Sequence, residues 1–340
     1  MSTTVEQGLL PAKPIPTTSR IYIPGHTGLV GSAILRRLQS EGYSHLLLRT
    51  HQELDLTSSE RVAQFFREEK PEYVILCAAR VGTILANTTH PAEFLYENTS
   101  IQTSIIHESW KNGVKRLFAL GSSSVYPREC PQPIGEEHYL TGSLEPSNRA
   151  YAVSKITAIE MCWSYNKQYG TRYLCLIPPN LYGPGDNFDV DTSHVLPALI
   201  KKFHQAKIDG DPSVALWGTG DARREFLYSD DLADVLLFLM DLPDEKLDEL
   251  LGGKEHPPVL NVGSGTDLTI GDLALIIQEI VGYDGEIEWD TTKPEGIPRK
   301  LLDVGRINEM GWIYQTELSE GILRMYEHFL SCVESGKISV

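Results

Sequence analysis

The chain has 340 residues, with 46 acidic against 30 basic side chains and a formal net charge of -16. That length can bury a large core and exceeds the common size of one domain, so one large domain with a smaller attached lobe is expected. The acidic balance argues against a nucleic-acid or membrane-surface binder. The five cysteines, Cys77, Cys130, Cys162, Cys175 and Cys332, are odd in number and lack a close pair, which fits unpaired thiols in a reducing, cytoplasmic compartment. Apolar runs such as 235–240 fall far short of the roughly 20 residues that span a bilayer. Residues 1–19, low in charge and carrying three prolines, read as a flexible tail rather than a signal peptide.

From residue 20 the pattern alternates. Arg20 to Pro24 is a short apolar strand running into a glycine-rich turn, after which Leu29, Ala33, Ile34 and Leu38 recur at helical spacing. A second strand is expected over 45–48 and a helix around Val62, Phe65 and Phe66. Tyr73 to Ala78 has the continuous apolar character of a parallel strand covered on both faces. A long helix follows over about 92–112, then a strand over 116–120. This order predicts an α/β fold, a doubly wound parallel sheet of Rossmann type, over 20–180. Beyond Gly183, segments rich in proline, glycine, aspartate and asparagine separate shorter elements, which predicts a smaller mixed α/β substrate-binding lobe over 181–330. Part of 226–262 is expected to return to the large domain, and 331–340 reads as a C-terminal tail.

The first turn reads Gly25-His26-Thr27-Gly28-Leu29-Val30-Gly31. Glycines at its first, fourth and seventh positions can permit the turn, admit a pyrophosphate to the backbone and let the helix pack closely, while the helix N-terminus stabilises the anion. The second strand ends in Arg49-Thr50-His51-Gln52-Glu53-Leu54-Asp55-Leu56. A basic residue there accommodates the extra phosphate of NADP, whereas NAD sites favour an acid. Arg49 or His51 could serve, or stand as solvated charges; NADP(H) is the expected cofactor. Asp55 and Leu56 are placed near the adenine, and Ala78 and Ala79 leave room for the dinucleotide.

Tyr151-Ala-Val-Ser-Lys155 opens a predicted helix, and an offset of four puts the phenol and the ammonium on one face. Lys155 can then lower the Tyr151 pKa and bond the nicotinamide ribose, while Tyr151 donates a proton to a carbonyl oxygen as hydride reaches its carbon. The motif follows Gly121-Ser122-Ser123-Ser124 by about 30 residues. Ser122 would orient the substrate oxygen toward Tyr151. Serines at a strand end also serve as caps or turn formers, the reading kept for Ser123. No metal site is expected.

Taken together, GHTGLVGSA, ELDL, AARVG, GSSSVYP, YAVSK, PPNLYGPGDNF, HVLPALIKKFH, WGTGDARREF and KPEGIPRKLLD resemble the GDP-L-fucose synthase family of short-chain dehydrogenases/reductases from near residue 20 to near residue 330. The resemblance implies an NADPH-dependent 3,5-epimerase and 4-reductase converting GDP-4-keto-6-deoxy-D-mannose to GDP-L-fucose. It implies Ser122, Tyr151 and Lys155 as the reductase triad and His194 as an epimerisation acid/base; from the residues alone, His194 could equally be a helix cap. Ser124 stands where that family carries a cysteine as second acid/base. A hydroxyl is a far weaker acid than a thiol of pKa about 8.5, so a C4 reductase with reduced or absent epimerisation is the alternative. Thr83, in place of a glycine, adds bulk beside the sugar pocket.

The resemblance further places Asn180 and Asn187 on the substrate loop, Arg224 and Lys202 at the diphosphate, Trp217 by the guanine or ribose and Lys293 over the nucleotide. Arg223, Arg299 and Lys300 could touch substrate or be surface charges. It also implies a homodimer through the helices after Asn98 and at YxxxK; here Ile101, Ile105, Ile106 and Trp110 could line one face and Met161, Trp163 and Tyr165 add apolar surface to the other helix, or be buried within one subunit. A UDP- or dTDP-sugar epimerase matches the HVLPALIKKFH and RREF segments less well. A catalytically silent NADP-binding sensor would have no use for Ser122, Tyr151 and Lys155 together.

Overall fold

A computed structural model describes residues 15–189, 193–253, 255–293 and 296–338. In the first half, β1 (Ile21–Tyr22), α1 (Leu29–Ser40), β2 (Leu46–Leu47), α2 (Ser59–Glu69) and β3 (Tyr73–Leu76) alternate as the apolar spacing predicts. They are followed by α3 (Ile84–Thr89), α4 (Pro91–Lys111), β4 (Arg116–Leu120), α5 (Arg149–Tyr169) and β5 (Tyr173–Ile177). Every residue of β3, β4 and β5 is buried, because helices cover both faces of the sheet and leave no side to solvent.

The second half holds β6 (Asn180–Tyr182), α6 (Val195–Asp209), β7 (Ser213–Trp217), β8 (Arg223–Tyr228), α7 (Ser229–Asp241), α8 (Asp244–Leu250) and β9 (Val259–Asn261). Then come β10 (Asp267–Thr269), α9 (Ile270–Val281), β11 (Glu286–Asp290), β12 (Arg299–Lys300), α10 (Gly305–Glu309) and α11 (Leu318–Glu334). β9 pairs in parallel with β5, completing a six-stranded sheet of order β2-β1-β3-β4-β5-β9. Strand order reverses between β1 and β3, and ligands of doubly wound sheets bind at such a point, outside the carboxyl ends of the strands. α7 packs on α1, where Arg36 bonds Asp230 and Arg37 bonds Asp234.

β8 is the hub of the remaining chain. It pairs with β6 and β12 in parallel and with β10 in antiparallel fashion, while β7 and β11 form a separate parallel pair. A second apolar core built on Phe203, Leu273, Ile277, Met325 and Phe329 holds this lobe together.

Two sequence expectations need correction at the ends. Ile15 is buried, its N–H donates to Asp241 Oδ1 at 3.3 Å and its carbonyl accepts from Tyr43 Oη, so Ile15 and buried Ser19 anchor the end of the expected tail, of which 1–14 lie outside the described residues. At the other end α11 continues to Glu334 and Val333 and Ile338 pack against the second core, so 331–338 is not a tail. In each case an apolar residue inside a polar stretch finds a hydrophobic seat that local composition does not reveal.

Candidate active site

The glycine-rich turn sits at the strand-order reversal. Gly25 has φ +89°, and a Cβ there would stand 2.6 Å from the Ala78 nitrogen, so the turn lies directly on the chain leaving β3. A Cβ at Gly31 would come within 2.1 Å of the Gly25 oxygen, which fixes how closely α1 approaches the turn. Gly28 differs: its nearest neighbour would be 3.6 Å away, it is exposed beside exposed Thr27, and as the N-cap of α1 it offers no side-chain cap. The free N–H groups near Leu29 and Val30 therefore face an open cradle, which fits a pyrophosphate.

The residues expected around the adenosine are less free than their sequence positions imply. Arg49 is paired with Glu69, donates to the Leu48 carbonyl at 2.7 Å and stacks over Phe65 at 5.4 Å. His51 is exposed on the adjoining turn. Asp55 Oδ1 accepts from the Thr57 N–H at 2.9 Å and its hydroxyl at 2.7 Å, bonds that lower the carboxyl pKa, and Leu56 is half-buried beside it. Ala78 and Ala79 line the path beyond β3, where Asn98 accepts from the Arg80 N–H and donates to its carbonyl.

The β4 end and the α5 start bring Ser122, Ser124, Tyr151 and Lys155 together. Tyr151 is reachable from the cleft but ringed by protein, and burial pushes its phenol up to about 12, offset in part by a hydrogen bond with Ser122. Lys155 Nζ lies 5.7 Å from the Tyr151 ring centroid and donates to the Leu120 carbonyl at 2.6 Å. Burial lowers its pKa to about 8. Desolvation is thus the largest influence on the phenol, and the nearby ammonium is committed to a backbone oxygen.

Ser124 is buried in a short 3-10 turn, Ser123–Val125. Its hydroxyl donates to Ser122 Oγ at 2.8 Å, and its N–H reaches the same oxygen at 3.2 Å. A cleft lined by Ser124, Arg128, Glu145, Arg299 and Lys300 joins this turn to the second lobe. His194 is the N-cap of α6 but makes no side-chain cap bond, so its imidazole is not spent on capping. It is exposed, and desolvation by the protein around it still lowers its pKa.

Strand alternation sorts the arginines of β8. Arg223 is clamped to Asp267, with Nε at 3.0 Å and NH2 at 2.8 Å, and Arg299 binds the same carboxylate at 2.5 Å. Arg224 points the other way and pairs in register with Lys300 on β12. Burial and the Arg224 charge depress the Lys300 pKa to about 8. Two neighbouring cations repel, and an anion between them relieves the repulsion. Sequence reasoning held Lys300 no better than Arg223 or Arg299; only the strand register separates them.

Trp217, at the end of β7, is 60% exposed, and Lys293 lies 5.7 Å above its ring. Lys202, on α6, donates to the Ala215 carbonyl at 3.4 Å, and burial lowers its pKa. Asn180 opens β6, and the Asn187 side-chain oxygen accepts from the Asp189 N–H at 3.0 Å. Between them lies a carboxyl that sequence reasoning passed over. Burial pushes Asp186 up to about 7, its Oδ1 accepts from the Asn187 N–H at 2.8 Å, and Oδ2 has no partner among the described residues. Thr83 caps α3 by accepting from the Ala86 N–H at 3.2 Å, a role glycine lacks.

Comparison with known proteins adds independent findings. Residues 21–263 match the NAD dependent epimerase/dehydratase family. The chain is 48% identical over 316 residues to GDP-L-fucose synthase 1 of Arabidopsis thaliana, covering 93% of this chain and 94% of the relative. Its backbone superposes on a GDP-6-OMe-4-keto-L-xylo-heptose reductase from C. jejuni with a TM-score of 0.89 at 40% identity, covering 94% of this chain and 99% of that one. A GDP-mannoheptose C4 reductase from Campylobacter jejuni, solved with NADP bound, superposes with a TM-score of 0.84 at 39% identity, covering 93% and 99%.

Proposed function

Because the chain belongs to the NAD dependent epimerase/dehydratase family, and within it to the GDP-L-fucose synthases, we propose that it is an NADPH-dependent enzyme that epimerises C3 and C5 of GDP-4-keto-6-deoxy-D-mannose and reduces C4, giving GDP-L-fucose. What supports the reading is the grouping of Ser122, Tyr151 and Lys155 where β4 ends and α5 begins. Residues 20–180, with α7 and β9, form the cofactor-binding unit, and most of 181–330 receives the nucleotide-sugar.

The open cradle of Gly25, Thr27, Gly28, Leu29, Val30 and Gly31 accepts the cofactor pyrophosphate. Arg49 must leave Glu69, or His51 must serve in its place, to meet the 2′-phosphate. Asp55 and Leu56 border the adenine, and Ala78 and Ala79 the dinucleotide path. NADPH bound there supplies the hydride. Lys155, which donates to the Leu120 carbonyl, would also hold the nicotinamide ribose.

The substrate diphosphate bridges Arg224 and Lys300, with Lys202 a further cation, while Trp217 and Lys293 enclose the nucleotide and Asn180 and Asn187 border the sugar. The 4-keto group acidifies the hydrogens on C3 and C5. His194, kept neutral by its lowered pKa, removes or returns the proton on one face of each carbon while water exchanges the proton on the other, and Ser122 and Tyr151 donate hydrogen bonds to the enolate oxygen. Tyr151 remains protonated across the working range, so it can give its proton to O4 during reduction.

NMR of the product formed in deuterated water with NADPH tests the whole reading. GDP-L-fucose carrying deuterium at C3 and C5 is expected, and His194→Asn should abolish that labelling. A C4-reduced product that keeps protium and the original configuration at both carbons would overturn the epimerase half and identify a C4 reductase.

A further inference from the structure

We propose that Ser124 is a positioning residue for carbonyl reduction: its hydroxyl and its backbone N–H together occupy the acceptor sites of Ser122, leaving Ser122 a dedicated donor to Tyr151 and the substrate oxygen. The inference deepens the function proposed above and rests on it for the identity of the carbonyl.

A serine hydroxyl has two acceptor lone pairs and one proton. At Ser122 the Ser124 hydroxyl takes one lone pair at 2.8 Å and the Ser124 N–H the other at 3.2 Å. The Ser122 proton must then be donated outward. The neighbouring group on that side is the Tyr151 phenol, whose pKa Ser122 lowers, so the proposed relay of hydroxyls runs from 124 through 122 to 151. The backbone sets one of these contacts: Ser122 is extended, with φ -163° and ψ 145°, and its side chain caps the 3-10 turn by accepting from the Ser124 N–H.

The consequence for the chemistry can be written with every atom accounted for. As the hydride pair forms the new C4–H bond, the carbonyl π pair moves onto O4. O4 takes the Tyr151 proton, leaving a phenolate. The Ser122 proton stays on Ser122 and is shared between O4 and the phenolate, and donation from Ser124 polarises that bond cooperatively. The charged group beside Tyr151 is Lys155 on its own helix, and the thiols of Cys77 and Cys175 lie near that ammonium. A thiol at 124 would donate only weakly to Ser122.

Ser124→Ala, Ser124→Thr and Ser124→Cys provide the test, read in two ways. In the cofactor-free protein, the tyrosine 13Cζ resonance that disappears in Tyr151→Phe reports the hydrogen bond accepted by the phenol. It should move in Ser124→Ala and Ser124→Cys and hold its wild-type position in Ser124→Thr. In turnover, Ser124→Ala should lower kcat for C4 reduction about tenfold, the worth of one neutral hydrogen bond, leaving KM within about twofold, and Ser124→Thr should restore it. An unchanged resonance in Ser124→Ala overturns the proposal, as does an unchanged kcat. Should the wild-type protein not reduce GDP-4-keto-6-deoxy-D-mannose, the functional reading fails while the resonance still decides the hydroxyl chain.

Discussion

Lys300 shows how one residue acquires its role from its neighbours. In sequence it is one of several cations near the C-terminal third; in the fold it stands in register with Arg224, and burial plus that like charge lower its pKa to about 8. A lowered lysine pKa means the charged form persists below about pH 8 and is lost above it. A bound diphosphate favours the charged form, so affinity for GDP should weaken as pH rises from 7 to 9. Calorimetric titration of GDP at those two values measures this. Lys300→Met should weaken binding at pH 7 by roughly tenfold to a hundredfold, as expected for a charged hydrogen bond of about 1.5–3 kcal/mol, and flatten the dependence. Equal affinity of the two proteins at pH 7 would remove Lys300 from the diphosphate site. Arg223 and Arg299 carry the same charge, yet Asp267 holds both, so neither is expected to contribute comparably.

At the level of elements, the large sheet is completed by chain that arrives late. β9 joins β5 only after the chain has passed through the second lobe, and the α7-α8 corner before it is pinned by a side chain from β4. Buried Arg116 donates to the Met240 carbonyl at 2.7 Å, the Leu242 carbonyl at 2.8 Å and Asp244 Oδ1 at 2.7 Å. The carbonyls at the end of α7 have no intrahelical partner, so this guanidinium acts as their cap. Arg116→Met should lower the unfolding free energy by about 3 kcal/mol, since it strands the carbonyls of Met240 and Leu242, while Asp244 keeps its pair with Arg172. Urea denaturation checks the value, and a loss below about 1 kcal/mol would show that water replaces the guanidinium.

For the whole molecule, no helix among the described residues is long and apolar enough to cross a membrane. The expected pairing surface on α4 and α5 is only partly available. Ile105 and Ile106 are fully buried inside the subunit and cannot meet a partner, because their helix face packs on the main sheet core. Outside that core lies an aromatic cluster: Trp110 stacks on Tyr169 at 4.2 Å, Tyr165 meets Trp110 edge-on at 5.8 Å, and His107 bonds the Tyr165 hydroxyl at 2.7 Å. We propose that a homodimer forms across this face. Sedimentation of the wild-type protein should give a dimer mass, and Trp110→Glu should give a monomer that still binds NADPH. A wild-type monomer at micromolar concentration would count against the dimer.

The amino-acid sequence alone determined the alternating elements through β5, the glycine turn and the Tyr151–Lys155 pair, because each depends on periodicity or on a fixed local offset. Its collinear motifs also carried the family resemblance. Tertiary structure alone decided how the charges are partnered, since strand register put Lys300 beside Arg224 while Asp267 claimed Arg223 and Arg299. It also decided that Arg49 begins in a pair with Glu69, that Lys155 spends its proton on Leu120 while burial raises Tyr151, and that Ser124 donates to Ser122. Burial, register and hydrogen-bond partners arise between residues far apart in the chain, and a local pattern holds no record of them.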